Sequence, residues 1–392
     1  MDKAAKEKKL NDMQEKVKLI FKDVDCSKII DKASKMSQDD IINQILDSGL
    51  RGRGGAGFPT GIKWKAAKDA KSDIKYIICN ADEGEPGTFK DRKILDERAD
   101  KVLTGMAICA LAVGAQEGFI YLRGEYNFLL EKLNKTVEEC NKRSKGINFK
   151  VSIVSGSGAY VCGEETSLIE SMEGKRGEPR NKPPFPVIEG YKNKPTVINN
   201  VETFAYTAMI INEGSGNFKN IGTKDSKGGK VFSVSGDAHV EGIYELPLGM
   251  KIDEFVDLFG DGDTKAVQVG GSSGFCVPRK NFDQTVIGFE GVPTGGSMML
   301  FNSSRSMYHV LKNFLEFFEE ESCGQCTPCR VGCQQLLKGI EAIRRGEKPS
   351  SYIDSLLELA ESMKISAKCG LGQSVPNPFI SIIQNFKEEI MY

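Results

Sequence analysis

The sequence predicts an α/β fold that passes into a small α+β unit and ends in a helical bundle. Three observations carry that reading. Short β-branched runs ending in glycine or acidic turns alternate with helical patterns up to about residue 227, strand-like runs fill 228–300, and after Ser304 the apolar spacing is helical. At 392 residues the chain exceeds what one hydrophobic core sustains, so several are expected.

Composition narrows the function before any motif does. Lys plus Arg (53) and Asp plus Glu (54) leave a formal charge of −1, so no global field recruits nucleic acid or an anionic membrane. The longest apolar run, MAICALAVGA at 106–115, is far short of the roughly 20 residues of a bilayer span. The start, MDKAAKEKKLNDMQEKVKLIF, lacks the apolar core and cleavage site of an export signal. A cytoplasmic chain without membrane insertion or a nucleic-acid partner is expected. Eleven cysteines, an odd number, point to a reducing compartment, and Cys26, Cys79, Cys109, Cys140, Cys162 and Cys276 read as packing residues.

Residues 1–45 read as a polar, loosely packed helical segment, with Ser37 and Asp40 as a weak capping pattern before Ile41, Ile42 and Ile45. Next, RGRGGAGFPTGIKW (51–64) has five glycines among residues 51–61, too many for a regular element. Its N–H groups could approach an anion closely, with Arg53 and Lys63 to neutralise it. The pattern is neither G-x-G-x-x-G nor a P-loop, and a flexible linker reads equally well.

Apolar runs within 74–92 and 151–174, separated by helical patterns at 100–117 and 126–142, read as βα units on a parallel sheet. Its strand ends are where a ligand would sit. NADEGEP places Asn80, Asp82, Glu83 and Glu85 at one such end, and GSGAYVCGEET places Glu164 and Glu165 at another. Crowded carboxylates suit ribityl and ribose hydroxyls; solvated turns are the plain alternative. In 228–303 the strand runs KVFSVSG, GIYELPL and KAVQVGG accompany an amphipathic helix, KIDEFVDLF. Beyond it Met307, Val310, Leu311, Phe314, Leu315 and Phe318 share a helix face, and further helices are read at 331–345, 351–364 and 378–390.

ESCGQCTPCRVGC (321–333) packs four cysteines into eleven positions. The double x2 spacing of Cys323, Cys326 and Cys329 lets one turn direct three sulfurs to one point, the usual run for a [4Fe-4S] cluster; structural zinc more often uses two separated pairs. For the fourth ligand Cys369, between glycine-rich neighbours in SAKCGLG, is favoured over Cys333, which reads as a helix-face residue. Such a cluster passes single electrons. A phosphate cradle, hydroxyl-binding carboxylates and a cluster together imply a flavin that converts a two-electron hydride into single electrons. No catalytic base is then needed, and His239 and His309 lie outside these loops.

Residues 50–92, 156–203 and 320–372, through GRGGAGFPTGIKW, NADEGEPGTFKDR, GAYVCGEET, NNVET and ESCGQCTPCR, closely resemble the flavin subunit of NADH dehydrogenases. This is the 51-kilodalton-type subunit of respiratory complex I, with relatives in NAD-linked or electron-bifurcating hydrogenases, formate dehydrogenases and transhydrogenases. The resemblance implies an N-terminal helical segment (1–45), a Rossmann-like FMN and NADH domain (46–227), a β-grasp domain (228–303) and a four-helix bundle holding a [4Fe-4S] cluster (304–392). It implies FMN held by Gly52, Arg53, Gly54, Lys63, Asn80, Asp82, Glu83, Tyr160, Gly163, Glu164, Asn199, Asn200 and Thr203. NADH would stack over the flavin near Phe58, Glu85, Glu165, Lys182 and Phe185, and the cluster would use Cys323, Cys326, Cys329 and Cys369. A carboxylate at Glu85 beside the adenosine ribose would repel a 2′-phosphate, favouring NADH over NADPH.

The expected partners are a thioredoxin-like [2Fe-2S] subunit and a further iron-sulfur or catalytic subunit, with ferredoxin as an additional candidate. Hydrogenase relatives often carry thioredoxin-like and ferredoxin-like extensions that this chain lacks, so such carriers are expected on other subunits. Three rivals stand beside this reading: an NADPH-specific version, a simple diaphorase module and a non-catalytic scaffold. The presence of Lys63, Glu165 and Phe58 speaks against the scaffold.

Overall fold

Alternating apolar strands and helices build the first sheet of the computed structural model, which describes residues 3–143 and 147–391. Helices α1 (Lys3–Val17), α2 (Cys26–Ala33) and α3 (Gln38–Ser48) precede the glycine loop, and α4 (Thr60–Asp69) follows it. Then come β1 (Tyr76–Ala81), α5 (Lys90–Val113), β2 (Glu117–Leu122), α6 (Leu130–Arg143), β3 (Lys150–Ser155), α7 (Glu165–Met172), β4 (Thr196–Asn200), α8 (Val201–Glu213) and the short α9 (Ser215–Lys219). The strands are parallel in the order β3-β2-β1-β4. The order reverses at β1, so the carboxyl ends of β1 and β4, which lead into NADEGEP and NNVET, open on one crevice.

Strand β1 is buried on both faces, as an inner parallel strand must be. Ile77, Cys79 and Ala81 enter a core built with α5 and α8, while Tyr76 and Ile78 enter the core shared with the C-terminal helices. Helix α5 starts ten residues before the sequence pattern because its first turn buries charge. It meets α8 closely: a Cβ on Gly105 would lie 2.0 Å from the Phe204 carbonyl oxygen.

The N-terminal segment is helical but not loosely packed, which corrects the sequence reading. Ile29, Ala33, Ile41, Ile42 and Ile45 are buried in the first core, and Ser37 and Asp40 form a complete capping box. The connection between α1 and α2 is clamped. The Glu245 carboxylate accepts from the N–H groups of Leu19 (3.1 Å), Ile20 (3.0 Å) and Phe21 (3.4 Å), and the Lys101 ammonium donates to the carbonyls of Leu19, Ile20 and Lys22. Polar composition disguised this packing, because buried charges meet the backbone there.

The second sheet comprises β5 (Gly229–Gly236), β6 (Gly242–Pro247), β7 (Thr264–Val269), β8 (Phe275–Pro278) and β9 (Ser297–Asn302), in the order β6-β5-β9-β7-β8. Strands β5 and β9 run parallel and the other pairs antiparallel. Helix α10 (Ile252–Phe259) buries Ile252, Phe255, Leu258 and Phe259. Sequence reading missed β8, only four residues long, and β9, whose SMMLFN has no β-branched residue. The C-terminal helices are α11 (Met307–Glu321), α12 (Thr327–Arg344), α13 (Tyr352–Ser366), α14 (Gly370–Ser374) and α15 (Pro376–Met391). Four of these were read from the spacing; α14 is a single turn directly after Cys369. Among the described residues no helix is long and apolar enough to cross a membrane.

Candidate redox site

Three loops meet where β1 and β4 end. The glycine loop closes on itself through the Gly52 N–H, which donates to the Phe58 carbonyl at 2.9 Å. Gly55 (φ 121°) and Gly57 (φ 64°) hold positive-φ conformations that side chains resist, so the chain curls with its crest open: a Cβ on Gly55 would meet nothing within 4 Å. The Arg53 N–H donates to Thr203 Oγ1 at 2.9 Å, seating the loop on α8. The Arg53 guanidinium turns the other way. It is 2% exposed, lies near the Tyr206 and Phe218 rings and donates to the Lys227 carbonyl at 2.6 Å. The loop therefore offers backbone N–H groups, and the Arg53 charge is spent inside the protein.

Asn80 ties two loops together, donating to the Gly163 carbonyl (2.8 Å) and accepting from the Asp82 N–H (3.0 Å). Asp82 is 9% exposed, and neither carboxylate oxygen has a hydrogen-bond partner among the described residues. Burial pushes its pKa up to about 7, against the pull of Arg123. A buried, unsatisfied carboxylate is costly unless a ligand donates to it, and a flavin's ribityl hydroxyls are such donors. Glu83 is used differently. It accepts from the N–H groups of Asp91 (2.8 Å) and Arg92 (3.1 Å) and from the Tyr126 hydroxyl (2.9 Å), capping α5. Glu85 accepts from the Tyr160 hydroxyl (2.6 Å), Ser272 Oγ (2.8 Å), the Ser273 N–H (3.0 Å) and Ser273 Oγ (2.7 Å), which fastens the crevice to the second sheet. Tyr160 continues the link: its N–H donates to Glu321 at 2.9 Å and its ring lies edge-on to Phe317.

Glu164 caps α7, accepting from the N–H groups of Thr166 (2.9 Å) and Ser167 (3.0 Å), and pairs with Lys182 at 2.7 Å. Glu165 lies between Lys182 (3.0 Å) and Lys63 (3.3 Å). Burial opposes its ionisation, but those two ammonium groups hold it below the usual carboxylate range. Asn199 accepts from the Trp64 indole N–H at 2.9 Å, and Asn200 caps α8 while donating to Asp91. Phe58 and Phe185 are 51% and 53% exposed, bare aromatic faces available for stacking.

Sequence reading missed the ion network beneath the glycine loop. Lys90 contacts Asp91 at 2.7 Å and Glu202 at 3.0 Å, Glu202 also pairs with Lys230, and all four side chains are buried. Three of them lie inside TFKDR and NNVET, where charges next to turns pass for surface residues. The available signal was Lys230, a charge in the apolar run KVFSVSG.

Cys323, Cys326, Cys329 and Cys369 line one pocket, floored by Val161 and Leu371. Cys333 is not among its walls; it is buried one turn along α12, its Sγ 3.9 Å from that of Cys329. Glycine brings Cys369's segment close, since a Cβ on Gly372 would lie 3.0 Å from the Cys329 Cβ. Among the described residues no three His, Cys, Asp or Glu side chains converge tightly enough for a single metal ion. Four thiols spaced around a cavity suit a polynuclear cluster better than zinc. Burial pushes the Cys369 thiol up to about 11, a cost that ligation as thiolate removes.

A glycine cradle and an unsatisfied carboxylate at a topological switch point, tied by Tyr160 to the helices that carry a four-thiol pocket, define a nucleotide-binding redox protein. Residues 45–208 match the Nuo51 FMN-binding domain, and residues 309–392 match the NADH-ubiquinone oxidoreductase-F iron-sulfur binding region. The chain is 42% identical over 373 residues to the alpha subunit of the NAD-reducing hydrogenase HoxS of Cupriavidus necator, covering 93% of this chain and 62% of that one. It is 42% identical over 376 residues to the NADP-reducing hydrogenase subunit HndC of Solidesulfovibrio fructosivorans, covering 91% and 76%. A crystal structure of an NAD+-reducing [NiFe]-hydrogenase in the H2-reduced state superposes with a TM-score of 0.90 at 40% identity, over 94% of this chain and 65% of that one. The chain thus spans less than two thirds of the HoxS subunit. It belongs to the family of Nuo51-type flavin and iron-sulfur oxidoreductase subunits, as its motifs implied, and FMN and a [4Fe-4S] cluster are that family's cofactors.

Proposed function

We propose that the chain is the electron-input subunit of a multi-subunit oxidoreductase, oxidising NADH and, in reverse, reducing NAD+. The observation that carries this is the continuous link from the unsatisfied Asp82 crevice through Glu85 and Tyr160 to the helices of the thiol pocket. When bound, FMN supplies the conversion between a hydride and single electrons. The protein's part is orientation and electrostatics. Asp82 would accept from ribityl hydroxyls; the Gly54 N–H on the glycine loop would meet the phosphate, with Gly52 and Arg53 fixing the loop and Asn199, Asn200 and Thr203 at the base. Lys63, Asn80, Tyr160, Gly163 and Glu164 would frame the site, with Glu83 supporting it as a helix cap.

NADH would lie against Phe58 and Phe185, with Glu165 and Lys182 alongside. Because Glu85 already accepts four hydrogen bonds, its charge rather than its lone pairs would disfavour a 2′-phosphate. The first sheet would form the Rossmann-like FMN unit, the second a β-grasp unit, and the C-terminal helices the cluster bundle. A thioredoxin-like [2Fe-2S] subunit and a further iron-sulfur or catalytic subunit would carry the electrons onward in a cytoplasmic complex.

NADPH is the second reading, favoured by the likeness to an NADP-reducing hydrogenase subunit. Anaerobic titration of the purified chain decides between them. NADH is expected to bleach the flavin band and then produce the EPR signal of a reduced cluster, with NADPH at least about tenfold less effective. A colourless protein indifferent to both would sink the proposal, and preference for NADPH would transfer it to the second reading.

A further inference from the structure

Lys230 reaches the glycine loop from the other sheet. It belongs to β5, yet it is 1% exposed, and its ammonium donates to the Arg53 carbonyl at 2.9 Å and to Glu202. The Arg53 N–H is held by Thr203, so both peptide groups flanking Arg53 are fixed. The Arg53 carbonyl and the Gly54 N–H belong to one peptide unit. A carbonyl that accepts from a cation polarises its unit and makes the N–H on the far side a stronger donor. Among the described residues that Gly54 N–H is bonded to no acceptor, and Gly54 is exposed, beside Asn200 and next to the open crest at Gly55.

We infer that Lys230 is a positioning residue of the flavin site, locking the glycine loop from beneath and strengthening the Gly54 N–H as a donor to the phosphate of FMN. This rests on the reading of the loop as a phosphate cradle. The charges facing Lys230 are Glu202 on α8, Lys90 and Asp91 on α5, and Arg53 in the loop. Lys90 is shared between Asp91 and Glu202, so removing Lys230 alone leaves one buried carboxylate without its cation, and Glu202 must be neutralised with it to separate the loop contact from charge balance. Burial lowers the Lys230 pKa to about 7, and Glu202 resists the fall. Its charge is therefore lost as pH rises through neutrality, and the cradle weakens with it.

The test strips the full chain of flavin and measures binding of FMN and of riboflavin, which lacks the phosphate, by fluorescence quenching between about pH 6 and 8.5. Wild type, K230M, K230R and the charge-balanced K230M/E202Q are compared, with folding checked by circular dichroism and Tm. At the acidic end K230M is expected to weaken FMN binding about tenfold or more while changing riboflavin binding less than about twofold. It should also remove the loss of FMN affinity that the wild type shows on going alkaline, and K230R should restore most of the binding. If K230M, or the double variant should the single one not fold, binds FMN like wild type or loses both flavins equally, the inference is overturned. A wild-type chain that binds FMN no better than riboflavin overturns the cradle reading itself, a result separable from any variant's behaviour.

Discussion

Cys333 and Cys369 are chemically identical and differ only in where the backbone puts them. Cys369→Ser should abolish the cluster's visible absorption and EPR signal, whereas Cys333→Ser should keep both and cost roughly 1 kcal/mol of stability through lost packing. A clusterless Cys333→Ser would reverse the assignment. At this scale spacing singled out three cysteines of the pocket because they come from one turn. The fourth needed glycine neighbours as a clue, and the structure places it at the same pocket. Side-chain direction was not legible. NADEGEP supplies three carboxylates that look alike in sequence, yet Asp82 is left unsatisfied, Glu83 caps a helix and Glu85 joins two sheets. Arg53 likewise turns inward because a carbonyl and two aromatic rings await it there.

Helix α5 shows what the apolar pattern conveys and what it omits. Its period marked a helix over 100–117, but the turn from Lys90 onward is buried through ion pairs rather than apolar contacts, and periodicity does not report those. Gly105 was equally silent, one small residue in a run of small residues. Gly105→Ala should destabilise the protein by about 3 kcal/mol, because the added methyl meets the backbone of α8 rather than a yielding side chain. Urea denaturation would show it as a lower midpoint with unchanged slope; an unchanged midpoint would mean that the two helices separate at little cost. Parallel strands were readable from their β-branched runs. Strand β9 was not, since its place is set by its neighbours rather than by its own residues.

Over the whole molecule the two sheets are joined by buried charge, and pH should reveal it. Glu245 titrates at about 7 in the fold, raised from its ordinary 4.5 by burial against the N–H groups that favour its ionised form. The folded state thus holds a proton that the unfolded chain releases. This contribution is complete below pH 4.5 and is lost as pH rises through 7, on the order of 3 kcal/mol over that window. Glu245→Gln should flatten the fall in stability between those values relative to wild type, as read from Tm across pH; parallel curves would show that the clamp does not titrate. The same clamp has a consequence for synthesis. Ile20 waits for a partner 225 residues further on, which at 5–20 residues per second is roughly 10 to 45 s of translation. Until then Lys101 can hold the carbonyls of the first connection but its N–H groups lack their acceptor, and the glycine loop lacks its support from β5. A ribosome must therefore deliver β6 before the connection between α1 and α2 can be fully clamped, and β5 before Lys230 can meet the Arg53 carbonyl, so the first-made stretch of the chain is among the last to be fastened.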